Sequence, residues 1–378
     1  MSDRLVAILL GVVPAAVLFL FLRVESEAAV AVVLLVAAGA VIAATRGRVS
    51  AAIGRAAASF ERTMEGVAVA AIAAVALAFH EDDFSLFLLT RALIIFAACL
   101  GLTVQFGYAG VVNFAGASFF GVGAYTAAVL ARLEPLPHLV NLILGGAVAA
   151  VGGMLLALPL LRTRGHYAAL ITIAFALLFR TFLEVNDALG GPQGLKLPGF
   201  RLFGWDFNEP LTLGPFEGAS FLNYFAFALL LAVLAFVLVR RLERSWIGLS
   251  LDAVRLDETA ASCFGLKVAG WKIAGFTIGN FIAGVAGAYS AHMVGFIAPN
   301  NYAFGESLVF VSILLLGGLG NPWGVALATA IVVMLPEKLQ IIQEYRYLLY
   351  ASLVILILLF RPAGLLPRPL RRWLGQPA

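Results

Sequence analysis

Long apolar runs separated by short clusters of charge and turn residues dominate the chain. They lie near 5–22, 28–44, 63–79, 85–105, 107–132, 139–161, 166–185, 221–239, 271–292, 306–319, 322–338 and 346–360. The runs do not alternate at the two-residue period of a barrel strand, so each reads as a helix. A straight crossing of the hydrocarbon core takes about 20 residues. The run 306–319 falls short of that, which predicts broken, re-entrant or tilted elements among about twelve segments. The predicted fold class is all-α and polytopic.

Composition gives the reason. With 62% hydrophobic and 12% charged residues in a chain of 378 and a mean hydropathy of +1.00, the apolar surface exceeds what one soluble core can bury, and lipid is the remaining solvent. Backbone groups left unpaired in hydrocarbon are too costly for anything but helices or a closed barrel. The net charge of +4 does not indicate nucleic acid, because the basic residues fall between apolar runs and form no patch interleaved with aromatics. Placing the N-terminus inside puts most Lys and Arg on the cytoplasmic side, among them Arg4, Arg46, Arg162, Arg240, Arg255, Lys267, Arg361 and Arg368. Only Arg23, Arg132, Lys196, Arg201, Lys338 and Arg346 are left on the other. Both termini are then cytoplasmic. The first run is followed by Arg23 and Glu25 without a small-residue cleavage site, as expected of a retained span.

Polar residues inside the runs need individual explanations. Arg180 and Glu184, four apart, pair with each other or snorkel, and His292 and Glu306 read as interface anchors. Arg91, about six residues into its run, is the candidate for a buried ion pair. Cys99 and Cys263 are too far apart in sequence to suggest a disulfide framework or a CxxC site. The four His, at 80, 138, 166 and 292, do not group, which argues against a metal site or a membrane-embedded enzyme. There is no Walker A loop, HExxH, GxSxG or GxGxxG. The chain reads as a non-enzyme that binds no cofactor of its own.

Three places invite function. Residues 107–125 carry five glycines and make a poor continuous helix, and broken backbone at membrane depth is tolerated only where it lines a cavity or is packed in protein. Asn113, Gly116, Ser118, Tyr125 and Thr126 are the candidates for a substrate path. The inner loop from about 240 to 270 places Trp246, Leu249, Ala253, Leu256 and Ala260 at helical spacing, predicting one amphipathic helix across 246–265. Arg255, Asp257 and Glu258 fall on its other faces. Ala260 and Ala261 allow close approach, and Gly265 supplies a left-handed cap. Such a helix docks in a partner's groove or lies against headgroups. The turn holding Gly317, Gly318, Gly320 and Pro322 is an inner gate or a plain helix-to-helix connection. An outer loop, 186–220, contains Asp187, Asp206, Glu209, Glu217, Phe200, Phe203, Trp205 and Phe207, and forms a docking surface or a lid.

The stretch Glu258-Thr259-Ala260-Ala261-Ser262-Cys263-Phe264-Gly265 resembles the EAA loop of bacterial ABC importer permeases, with Thr259 where an acid usually precedes the Ala pair. Further segments resemble the branched-chain amino acid permease family, LivM type. They are Gly107-Tyr108-Ala109-Gly110, Phe119 to Tyr125, Gly190-Gly191-Pro192-Gln193-Gly194, Leu316 to Gly324, and Phe360 to Leu365. Ala115-Gly116 stands where the family often has Gly-His. The likeness spans about 85–367, which implies an N-terminal extension of about three helices over 1–84 and a cytoplasmic tail over 368–378. It implies a subunit of the bacterial inner membrane that imports branched-chain or other amino acids, urea or short amides. It further implies a second, LivH-like permease, two ATP-binding subunits that carry ATP and Mg, and a periplasmic binding protein. The rival is a secondary transporter driven by an ion gradient, which would need carboxylates or carbonyl ion sites near the midplane. A membrane anchor leaves the inner helix unexplained.

Overall fold

The computed structural model describes residues 3–24, 60–133, 136–163, 166–213 and 216–338, with scattered positions between 345 and 368. The run at 28–44 and most of 346–360 lie outside the described residues. Helices dominate, and among the described residues six are long and apolar enough to cross a membrane: Arg4–Arg23, Asp83–Tyr108, His138–Leu161, Tyr167–Val185, Phe221–Arg244 and Val268–Val294.

The chain forms two compact units. In the smaller, α1 (Asp3–Arg23) packs against α2 (Glu61–Ala78). Phe19 and Phe79 meet with ring centroids 5.4 Å apart, and Lys338 Nζ donates to the Leu22 carbonyl at 2.8 Å.

The larger unit is built around α10. The helices leading to it are α3 (Asp83–Thr103), α4 (Gly116–Leu133), α5 (His138–Leu161), α6 (His166–Val185), α7 (Phe221–Arg244), α8 (Trp246–Leu256) and α9 (Glu258–Cys263). Then come α10 (Val268–Val294), α11 (Phe304–Gly317) and α12 (Pro322–Lys338). α10 carries small residues every four positions, Gly275, Gly279, Ala283, Gly287 and Ala291, along one buried stripe. A Cβ at Gly279 would strike the Gly101 carbonyl of α3, and one at Gly287 would strike the Phe120 backbone of α4. On a neighbouring face α5 runs antiparallel to α10: Gly145 meets Ala288, Ala149 meets Gly284, and Gly153 makes room for Asn280. In lipid, where apolar burial gives helices no reason to associate, such close approach supplies the van der Waals contact that holds a bundle. The opposite sides of α5 and α6 expose Ile143, Val151, Leu155, Leu170, Leu177 and Phe182, the surface expected to face lipid.

The loop over 186–220 is not featureless. β1 (Leu195–Lys196) pairs with β6 (Phe296–Ile297), β2 (Arg201–Leu202) with β3 (Trp205–Asp206), and β4 (Leu211–Leu213) with β5 (Phe216–Gly218), all antiparallel. These short strands are the departure from an all-α expectation. The β2–β3 turn needs positive φ at both central residues, and Phe203 (φ 49) and Gly204 (φ 90) supply it. Phe203 is 97% exposed. Phe203→Gly relieves the left-handed strain at no packing cost and is expected to stabilise the hairpin by about 1 kcal/mol. Slower amide exchange over 200–207 is the check. The Asn208 amide and the Arg201 guanidinium hold the Asp206 carboxyl below its ordinary range. Their contribution is therefore present at neutral pH and is lost as pH falls through that lowered value.

Candidate functional site

The glycine-rich stretch is interrupted, as its composition predicts, but the break falls earlier than the glycines alone indicate. α3 runs into a π-helical turn, Val104–Tyr108, in which the Ala109 amide reaches back five residues to the Val104 carbonyl at 3.0 Å and the Val111 amide six to Gln105 at 2.9 Å. Residues 109–115 are non-helical, and α4 starts at Gly116. From there the helix is regular: Gly116 accommodates Leu102, Gly121 accommodates Tyr302 and Phe179, and Gly123 lies on Gly284. These glycines pack; only Gly110, at φ 67, needs backbone freedom.

The break brings three amide side chains together. Gln105 Nε2 donates to Asn280 Oδ1 at 2.8 Å and to the Phe276 carbonyl at 3.2 Å. Asn113 Nδ2 donates to Gln105 Oε1 at 2.7 Å and lies 3.4 Å from Asn280 Oδ1. All three are fully buried. The start of α4, whose first N–H groups have no partner within the helix, is met by side chains from three directions. The Phe114 amide donates to Thr172 Oγ1 at 3.0 Å, Ala115 to Asn113 Oδ1 at 2.8 Å, and Ala117 to Ser307 Oγ at 3.1 Å. Of the expected path residues, Asn113 belongs to this cluster and Ser118 lies buried nearby in sequence, its Oγ without a partner among the described residues. Tyr125 and Thr126 instead line a separate groove of about 370 Å³ between α4 and α6, and Thr126 donates back to the Val122 carbonyl. Gln105 and Asn280 were not among the residues picked out from sequence. Their signal was available: each is an amide within an otherwise apolar helix, and such residues face the bundle interior.

The single helix expected over 246–265 is two. Asp257 adopts an extended conformation (φ −155°, ψ 106°) and its carboxylate accepts from the Thr259 and Ala260 amides at 2.8 and 2.9 Å, capping α9 and so ending α8. Gly265 has φ 82, as its place after the helix requires. Leu251 and Val254 of α8 are buried. Leu249, Ser250, Ala253, Leu256, Ala260, Ala261 and Phe264 line an open groove of about 500 Å³. Phe264 is 90% exposed. Glu258 pairs with Lys272. Arg255 packs on Gly110, where an added Cβ would lie 2.8 Å from its Cγ, so α8 rests directly on the break.

The turn after α11 lies at the same end of the bundle. Gly318 (φ 106) and Gly320 (φ 85) shape it. Gly320 abuts Gly107, Gly317 abuts Gly324, and Asn321 Oδ1 accepts from the Trp323 amide just after Pro322.

Two of the four histidines meet, although no group of three or more His, Cys, Asp or Glu forms among the described residues. His138 and His292 stack with centroids 4.5 Å apart. Nδ1 of His138 accepts from the Arg201 amide at 2.7 Å, and Nδ1 of His292 bonds the Pro198 carbonyl at 3.0 Å. His292 is buried and is not an interface anchor. Arg180 pairs with Glu184 at 2.8 Å, as four-residue spacing allows, and also reaches Asn300.

Apolar helices of membrane length around an interrupted one, with polar backbone and amides enclosed at its break, define a multi-pass membrane transport component. The chain belongs to the family of branched-chain amino acid transport system permease components, whose model matches residues 84–359. It is 34% identical over 312 residues to the high-affinity branched-chain amino acid transport system permease protein LivM of Salmonella typhimurium, covering 78% of this chain and 73% of that protein. A probable LivM of Methanocaldococcus jannaschii is 27% identical over 317 residues, covering 71% of this chain and 89% of the relative. The LivH permease protein of Salmonella typhimurium is 24% identical over 289 residues, covering 71% of this chain and 90% of the relative. No solved structure matches the chain. The protein is thus a transport permease component rather than an enzyme.

Proposed function

We propose that this chain is the membrane subunit of an ATP-driven importer of branched-chain or other amino acids, or of urea and short amides. It resides in the bacterial inner membrane with both termini cytoplasmic and about twelve segments. It works beside a second, LivH-like permease, two ATP-binding subunits and a periplasmic binding protein. ATP and Mg bind in those partner subunits. The observation that carries this reading is an open groove on α8 and α9, where α8 itself rests on the helix break: Arg255 packs on Gly110, and an added Cβ at Gly275 would meet both Ala109 and Leu251. A partner seated in the groove can move α8, and α8 cannot move without disturbing residues 104–115. Because a ligand shifts a two-state equilibrium only by its differential affinity for the two states, the ATP-bound partner must prefer one arrangement of α8. The Gln105–Asn113–Asn280 cluster then stands at the closed point of the path, and the Gly317–Pro322 turn, against Gly107, is part of the inner gate.

The test is uptake of labelled leucine and of urea into proteoliposomes that hold the chain with its partner permease, ATPases and binding protein. ATP-dependent uptake, insensitive to ionophores, is the expected result. Uptake without ATP that an ionophore abolishes would make the chain a secondary transporter.

A further inference from the structure

We propose that Arg368 is the positioning residue through which movement of α8 reaches the helix break; this rests on the docking role assigned above to the α8–α9 groove. Arg368 Nη1 and Nη2 donate to the two carboxylate oxygens of Asp252, in α8, at 2.7 and 2.8 Å. Its Nε donates to Glu243, at the end of α7, at 3.0 Å. The same guanidinium lies 4.3 Å from the ring centroid of Tyr108, the last residue of the π-turn, which is fully buried. One side chain, 9% exposed, therefore holds α7, α8 and the break together.

Its backbone is anchored as well. The Leu365 amide donates to the Leu316 carbonyl at 2.8 Å, and Leu366 to Gly317 at 3.1 Å. Asn321 Nδ2 donates to the Leu366 carbonyl at 3.0 Å, and Gly320 leaves room for the Arg368 side chain. The residue taken from sequence as the head of a cytoplasmic tail thus joins the α11–α12 turn to the same point. The surrounding charges are mixed. Arg240 pairs with Glu243, and Arg255 lies 3.7 Å from Asp252, so two acids are shared among three bases in a partly dry site.

Arginine matters here because only its planar fork can hold both Asp252 oxygens and Glu243 while lying flat on an aromatic ring. Lysine offers a single ammonium. A partner that pulls on α8 pulls on Asp252, and Arg368 carries the displacement to Tyr108 and to the α11–α12 turn.

The experiment compares wild type, Arg368→Gln and Arg368→Lys in a background carrying Cys263→Ser and Val254→Cys, with Val254 at the buried face of α8. Two quantities are read: the rate of maleimide labelling of the full chain alone, and solute taken up per ATP hydrolysed in the reconstituted complex. For Arg368→Gln we expect labelling about tenfold faster or more, and uptake per ATP about tenfold lower or more, with hydrolysis little changed. Arg368→Lys should fall between. Unchanged labelling with unchanged coupling would overturn the proposal. So would a parallel loss of hydrolysis, uptake and chain yield, which marks a merely structural pair. If the ATPases fail to co-purify with the wild-type chain, it is the docking reading that falls, and labelling still decides whether Arg368 holds α8.

Discussion

Gly287→Ala is expected to destabilise the protein by about 3 kcal/mol, at the upper end of what overpacking costs, whereas Gly152→Ala should be neutral or stabilise slightly. The same methyl group is added to a glycine of a long helix in both cases. At Gly287 the new carbon falls on the Phe120 carbonyl, with its carbonyl carbon at 2.7 Å and Cα at 3.0 Å, all backbone of α4. α4 has little room to retreat, because Gly121 is pressed against Tyr302 and Phe179. At Gly152 the nearest atom is Phe119 Cε1 at 3.7 Å, ordinary contact distance, and alanine brings its better helix propensity. Thermal midpoints of the detergent-solubilised variants should separate the two sharply. Equal midpoints would mean that α4 and α10 do not cross as closely as described.

Asn280→Leu is expected to lower stability by about 1–3 kcal/mol and to reduce uptake about tenfold or more, because it strips the shared acceptor from Gln105 Nε2 and Asn113 Nδ2. Both groups are fully buried. Gln105 Nε2 keeps the Phe276 carbonyl and Asn113 Nδ2 keeps Gln105 Oε1, but one buried N–H of each loses its acceptor and pays its desolvation. Asn113 also caps α4 through the Ala115 amide, so disorder in the cluster spreads to the helix start. Asn141→Leu is the matched control. Its side chain is equally buried, but neither amide atom has a partner among the described residues, so leucine removes an uncompensated polar group and should hold or raise stability. A loss of uptake in Asn280→Leu alone, with neither midpoint changed, would separate the cluster's functional role from its structural one.

The helices were legible wherever an apolar run was long, since hydropathy in lipid is a direct physical requirement. That the stretch is interrupted was legible too, but not where: Gly107 and Gly110 lie at the break, whereas Gly116, Gly121 and Gly123 sit within the regular α4. The form of the break was not legible either. Whether an amide bonds back four residues or five at Val104–Tyr108 depends on what packs beside it, here Gly320 and Gly279. The α8–α9 division at Asp257 was hidden by helical spacing that continues straight through it. An Asp ahead of Glu258-Thr259-Ala260 was the available cap signal. Gln105 and Asn280 are 175 residues apart, and nothing local in either helix names the other. The same holds for the stacked His138 and His292, and for Arg368, whose partners lie 116 and 125 residues away.

The central claim, that the α8–α9 groove seats the ATP-hydrolysing partner, is tested most directly by Ala260→Arg, placed in the exposed groove lining where it disturbs no buried contact. Co-purification of the ATPases and ATP-driven uptake are measured together with the thermal midpoint of the isolated chain. The midpoint is expected to be unchanged while co-purification and uptake are both lost. Full ATPase binding and full uptake in the variant would contradict the claim.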